Sequence, residues 1–536
     1  MSEAAARLPE RWRPSANRPV AAPSVPAWVV VAGVACVAVY VGFVAVGLGE
    51  SDFEIISATI VVPILLAVTV PVARRIARAE GDSRYTAMIL AAFGLKMIGG
   101  LLRHYVAYGV YNGSDASQYH RWGSTLAESY RDLDFGVRVG AVPGTGFIRA
   151  VTGVVYAVVG TSRLTGFLVF SWFGFLGLLL FWRAFRAGLP DGDGRRYFHL
   201  VLLLPSMLYW PSSIGKESWM VMVLGVCAYG VARSLSGRPA TGLVILAIGA
   251  AGVTAVRPHL ALVVFNGLVV AFLLRRPRSN SPLSPIATAM VAVLLLGAGL
   301  VLVNRVERFF GVESLTAEVV VDQLNEAETH TTQGGSEFTP VQVRSPLDLP
   351  LATLTVLFRP LPHEVKNAQA ALTAFETMLI LGFTLWSLPR FRRAFALLRS
   401  SPYVGYCIGF TLTFIVAFSS FGNFGLLARQ RVQVLPAYLV LLCLPKSHDD
   451  SSADETVIAA ARLWPSVRSG RETPSAAEAP RGSTGGPRRS ARVGALRVPR
   501  LRLRRDLRRR LPRRIRGAAL RRMRRTGHPL ARLLTA

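Results

Sequence analysis

The feature that most constrains this chain is a series of apolar runs, each about as long as a bilayer is thick, recurring between residues 27 and 444. Hydrocarbon offers no water to a backbone N–H or C=O, so a spanning segment must satisfy its own. A helix of about 20 apolar residues does so. The balance of residues agrees: 51% are hydrophobic, only 17% are charged and mean hydropathy is +0.40. The expected fold is an all-α integral membrane protein of about twelve transmembrane helices. The runs are residues 27–48, 55–73, 86–108, 164–185, 197–212, 218–235, 240–256, 260–274, 286–303, 368–388, 403–420 and 432–444. The first is long enough to stay as a permanent span rather than act as a cleaved signal.

Arginine and lysine accumulate in short cytoplasmic loops. Counted from a cytoplasmic N-terminus, the inner loops carry Arg74, Arg75, Arg78 and Arg84, then Arg183, Arg186, Arg195 and Arg196. They continue with Arg233 and Arg238, Arg275, Arg276 and Arg278, and Arg390, Arg392, Arg393 and Arg399. The first outer loop, GESDFE, has three acids and no base. Both termini are therefore expected in the cytoplasm. Residues 146–160 are too short and glycine-rich to span, and an extra crossing there would invert every later loop. They are expected to form an interfacial or re-entrant helix on the outer face.

The expected organisation is a cytoplasmic segment 1–26 and a polytopic membrane domain 27–445 with outer loops at about 109–163 and 304–367. A disordered linker 446–498 and a cytoplasmic tail 499–536 follow. The linker is rich in Ser, Pro and Gly. From residue 481 onward there are 20 arginines against Asp506 alone, so this stretch supplies +19 of the formal +30. Interleaved with Leu, Ile and Met, that tail is expected to bind anionic lipid head groups rather than nucleic acid.

Five polar segments share the outer side. They bring Asp115, Tyr119 and His120; Lys216 and Glu217; Arg257 and His259; Arg359, His363 and Glu364; and Arg429 and Arg431. Basic residues there run against the topological bias, so something other than topology keeps them. Asp115 suits a general base toward a hydroxyl, with His120 as its catalytic neighbour. Lys216, Arg257, Arg359 and Arg429 suit a donor phosphate, Arg offering a bidentate fork. Tyr119, Glu217, His259, His363, Glu364 and Arg431 are supporting candidates. Each has a plainer reading: a solvated Asp, a local Lys216–Glu217 pair, and arginines capping helices broken at the following proline. Lys96 and Glu376, inside spans, should face the bundle interior and pair there or line a cavity.

Other chemistries find no support. There is no GxxxxGK[ST], GxGxxG or HExxH, and Cys36, Cys227, Cys407 and Cys443 stand singly in apolar runs. No cofactor and no metal are expected.

The segments SDASQYHRW, LLLPSMLYWPSSIGKE and LFRPLPHE together resemble polytopic bacterial glycosyltransferases of the GT-C type, and actinobacterial membrane proteins of cell-envelope polysaccharide synthesis. The resemblance spans roughly residues 85–445. It implies a bacterial plasma-membrane enzyme that moves a sugar from a polyprenyl-phosphate-linked donor to a glycan or lipid acceptor outside the cytoplasm. In that family the catalytic acid lies in the first outer loop, which here offers Asp52 and Glu54; Asp115 comes one hairpin later. An O-antigen-polymerase-like or ligase-like protein acting on polyprenyl-pyrophosphate glycans, and a transporter or flippase, are the alternatives.

Overall fold

The computed structural model describes residues 25–50, 52–275, 284–332, 336–365 and 368–445. The expectations for residues 1–24, the linker and the arginine-rich tail fall outside these, as do Arg276 and Arg278. Among the described residues the chain is helical, and strand-like pairing is limited to an isolated antiparallel bridge between Glu337 and Asn423.

Helices α1 (Ala27–Glu50) and α2 (Phe53–Glu80) open the bundle, and α3 (Arg84–Tyr105) packs against both before running into a π-turn at Val106–Val110. Asp52 caps α2 by accepting the Glu54 N–H at 2.8 Å, an ordinary N-cap role. Next, α4 (Asp115–Arg131) and α5 (Thr145–Val159) pack on each other as a pair. They are followed by α6 (Arg163–Gly188), the broken pair α7 (Gly194–Leu203) and α8 (Pro205–Tyr209), and α9 (Lys216–Leu235). Then come α10 (Pro239–Thr254), α11 (Pro258–Leu274), α12 (Ser284–Phe310), α13 (Ala317–Thr331) and α14 (Leu349–Phe358). The fold closes with α15 (Ala368–Trp386), α16 (Leu388–Leu397), α17 (Pro402–Phe418), α18 (Phe424–Arg431) and α19 (Leu435–Leu442). The core lies where α9 packs against α6 and α10, and α11 against α17.

Seven of these helices are long and apolar enough to cross a membrane. They are Ala27–Gly49, Phe53–Glu80, Arg84–Val110, Arg163–Gly188, Lys216–Leu235, Ala289–Phe310 and Gln369–Trp386. The other five apolar runs fold as shorter or broken helices. The run 197–212 breaks before Pro205, whose ring denies the helix an N–H and forces Leu204 into extended backbone. Around this break the two intramembrane charges find their partners. Glu376 accepts the Ser206 N–H at 2.9 Å and the Ser206 hydroxyl at 2.6 Å, while Lys96 donates to the Met207 carbonyl at 2.6 Å. They hold one interrupted backbone rather than each other.

The loop after the break is sunk into the bundle, with Pro211–Gly215 all buried. Two glycines make room for it. A Cβ at Gly99 would stand 2.2 Å from the Leu208 carbonyl oxygen, and one at Gly174 would stand 2.3 Å from that of Pro211. Irregular backbone at such depth is tolerable only when protein surrounds it.

Polar contacts gather at two ends. At one, Glu80 accepts from Arg183 and Arg186, Asp193 pairs with Arg390 at 3.5 Å, and Arg196 donates to Ser387 at 2.6 Å. At the other lie the turns that carry Asp115, Lys216, Arg257 and Arg429. The segments around Glu80, Arg183–Arg196 and Ser387–Arg390 thus meet at one end, and those of Asp115, Lys216, Arg257 and Arg429 at the other.

Candidate functional site

The site is built from four chain segments that the bundle brings to one end. Asp115 is the first residue of α4, where Ser114 caps by accepting the Ala116 N–H at 3.3 Å. Lys216 and Glu217 begin α9, and an acid in a helix's first turn is favoured by the macrodipole. Arg257 precedes Pro258, the first residue of α11. Arg429 lies on α18, whose N-cap Asn423 accepts from Gly425 N and Leu426 N at 2.9 and 3.1 Å.

Glu217 is the centre. It is 1% exposed and stands between two guanidinium groups: Arg429 Nη2 donates to its Oε2 at 2.8 Å, and Arg257 Nη2 to its Oε1 at 3.3 Å. Arg429 reaches outward with its other terminal nitrogen and donates to Asp115 Oδ2 at 2.8 Å. The Asp115 side chain is 68% exposed. Lys216 is half-buried beside these groups, and its ammonium has no hydrogen-bond or ion-pair partner among the described residues. Three cations thus meet two carboxylates, and the surplus charge resides on an unpaired amine. Tyr119 lies one turn along α4 from Asp115; burial, with Glu217 and Asp115 close by, pushes its phenol up to about 12, so it stays protonated. The Glu217 charge outweighs burial and holds the Arg429 guanidinium above its ordinary pKa.

The short helix α18 shows why "ARQR" is written as it is. Successive helical residues point about 100° apart, and each here goes to a different neighbour. Arg429 takes Asp115 and Glu217. Gln430 accepts from Arg257 through its side-chain oxygen, which also receives Gln433 Nε2 at 2.7 Å. Arg431, 3% exposed, donates to the carbonyls of Val356, at 2.8 Å, and Arg359, at the C-terminus of α14. A cation there is favoured by the helix dipole.

The structure therefore divides the sequence candidates. Asp115, Tyr119, Lys216, Glu217, Arg257 and Arg429 come together. Arg359, Glu364 and Arg431 form a second group around the end of α14. Arg359 makes a forked bond with Glu364, Nε to Oε1 at 2.8 Å, and lies 4.4 Å from the Phe338 ring centroid and 5.3 Å from that of Phe424. Burial works to raise the Glu364 carboxyl, but the Arg359 hydrogen bonds prevail and hold it below its ordinary value. His363 is exposed. His259 packs among Phe309, Phe310 and Phe418, its Nδ1 buried without a partner. His120 was expected beside Asp115 in catalysis; instead it points to α5, where its Nδ1 lies 2.9 Å from the Tyr156 hydroxyl. Five residues along a helix from Asp115 put it on a different face. Burial, helped by the nearby Arg163 charge, lowers its pKa.

Sequence reasoning passed over Gln430, Gln433 and Asn423. Their signal was three amides within GNFGLLARQRVQV, a stretch otherwise apolar or basic. Among the described residues there is no cluster of three or more His, Cys, Asp or Glu able to hold a metal ion. Comparison with family models, curated proteins and solved structures finds no match to this chain.

Proposed function

We propose that the chain is a membrane glycosyltransferase that moves a sugar from a polyprenyl-phosphate-linked donor to an envelope glycan or lipid acceptor on the extracytoplasmic face. The observation that carries this reading is the cluster at the start of α9. Arg429 and Arg257 are fixed by a buried Glu217, and Lys216 is left as an unpaired cation beside an exposed Asp115. Such an array is preorganised for an anion at the membrane surface. In this reading the acceptor hydroxyl attacks the anomeric carbon and the bond from that carbon to the phosphate oxygen breaks. Asp115 takes the hydroxyl proton, and Lys216 with Arg429 stabilises the departing lipid phosphate.

The topology that goes with it has twelve crossings, five of them made by the shorter or broken helices, both termini cytoplasmic and the cluster outside, in a bacterial plasma membrane. The twelve-crossing reading is supported by the way loops grouped by charge bias meet at common ends. The arginine-rich tail then lies on the anionic inner leaflet, and truncation after Asp450 leaves sugar transfer unchanged.

One observation favours a second reading. Asp115 is tied to Arg429, and cations outnumber acids, which suits a polymerase-like or ligase-like protein that holds a pyrophosphate-linked glycan chiefly by its arginines. Asp115→Asn separates the two. A transferase using Asp115 loses turnover by about 10²- to 10⁴-fold while donor binding persists; retention of near-normal turnover excludes Asp115 as the base.

A further inference from the structure

Away from the arginine cluster, α1, α2 and α3 enclose an apolar cleft of about 420 Å³, lined by residues such as Gly33, Cys36, Val62, Gly94, Met97 and Leu101. On α3 the lining runs from Ala87 to Leu101, about 21 Å at the helical rise, or some two-thirds of a ~30 Å hydrocarbon core. A volume of about 420 Å³ over a length of about 21 Å gives a mean cross-section of about 20 Å², enough for one hydrocarbon chain rather than the two of a glycerophospholipid.

Polar groups crown one end of it. Glu54 is one turn before the lining residue Ala58 on α2, and His104 is one turn after Leu101 on α3, so both stand on the cleft's own face. Arg163, at the start of α6, donates from Nε to Glu54 Oε1 at 2.9 Å and lies 5.0 Å from the Tyr108 ring centroid. Its terminal guanidinium nitrogens have no hydrogen-bond partner among the described residues, and the side chain is 45% exposed. His104 Nε2 is buried with no hydrogen bond, 3.9 Å from Glu54 Oε2. An arginine that gives one edge to a carboxylate keeps a fork for a second anion, as Arg429 does between Asp115 and Glu217.

We propose that this cleft and its crown form a binding site for a single-chain lipid phosphate, the chain between α1, α2 and α3 and the phosphate on Arg163. The assignment goes beyond the transferase reading and does not depend on it. The two places are neighbours nonetheless: α4 presents Asp115 to the arginine cluster, while its Ser117 donates to Tyr108 at 3.4 Å on the crown's side.

The test is photolabelling of the full-length protein in nanodiscs with hexadecyl phosphate carrying a mid-chain diazirine, and with the matching hexadecanol as the neutral probe. The phosphate probe should label α1–α3 peptides in preference to α12, where Met290, Val293, Leu294, Leu296 and Leu300 are exposed. A Cβ at Gly33 meets nothing within 4 Å, so Gly33→Phe fills the trench without moving backbone and should cut labelling about tenfold. Arg163→Gln should lower labelling by the phosphate probe and leave that by the alcohol unchanged. Arg163→Lys, which keeps a charge but loses the fork, serves if the neutral variant fails to fold; labelling then falls less but still falls. Equal labelling of α12, indifference to Gly33→Phe, or indifference of the phosphate probe to the Arg163 variants overturns the site. Competition by two-chain phosphatidic acid as strong as that by unlabelled hexadecyl phosphate overturns the single-chain assignment.

Discussion

Of the arginine–glutamate groups at this end of the bundle, those around α14 and around Glu217 are built on opposite principles. Around α14, Arg359 meets Glu364 only five residues away, and the phenyl rings of Phe338 and Phe424 stack at 4.2 Å beside the guanidinium. Each cation there is used up: Arg359 on its own loop, Arg431 on two carbonyls. Around Glu217 the partners come from α4, the start of α11 and α18, 40 to 314 residues apart along the chain. There the pairing leaves Lys216 unspent. The first group is a clasp that shapes a loop. The second ties four segments together and still presents charge.

The contrast is sharpest at Glu217. Removing one partner from a buried ion pair strands the others, at a cost of roughly 3–5 kcal/mol. Glu217→Ala leaves Arg257 and Arg429 facing each other, and should lower thermal stability more than any other single change at this end. A variant that melts like the wild type would show that the arginines have other support. Next in size is Arg429→Gln, which removes a donor from the proposed leaving-group site. Transfer should fall about 10²- to 10³-fold with a smaller loss of stability, read by comparing turnover and melting on one preparation. Arg359→Gln should do the reverse, costing about 1–3 kcal/mol of stability as Glu364 loses its charged partner while donor affinity holds. Loss of affinity there would merge the two groups into one site.

The smallest effect expected is a pH dependence. His120 has its pKa lowered by burial, so below the ordinary imidazole value of about 6.5 the unfolded chain binds more protons than the folded one. The stability it contributes is full above that pH and declines as pH falls through the folded pKa. His120→Gln should flatten that decline in melting curves taken across the range, and transfer at pH 7.5 should be unaffected. A fall in turnover at that pH would return His120 to the reacting centre.

Much of the helical architecture was legible because hydrophobic length acts locally, each apolar run declaring a helix by its own residues. The break in the run 197–212 was less so. Pro205 marks it, yet the apolar residues on both sides read as one helix until Glu376 and Lys96 are seen holding the interrupted backbone. The site was legible as a set of residues on one side and illegible as a geometry. Nothing in the sequence pairs position 115 with 429, or 217 with 257. Only Arg359 and Glu364, five apart across a proline turn, could be matched by eye, and they prove to be the pair that closes on itself. Gln430 escaped notice because its role is to receive Arg257, a residue 173 positions away.

The most direct measurement is the affinity of the full-length protein, in nanodiscs, for polyprenyl phosphate, compared between wild type and Lys216→Gln. Lys216 makes no ion pair among the described residues, so the substitution strands no partner and should spare the fold. An unpaired cation that holds the lipid phosphate predicts a loss of about tenfold or more in affinity with an unchanged melting temperature. Equal affinity in the two proteins would contradict the account.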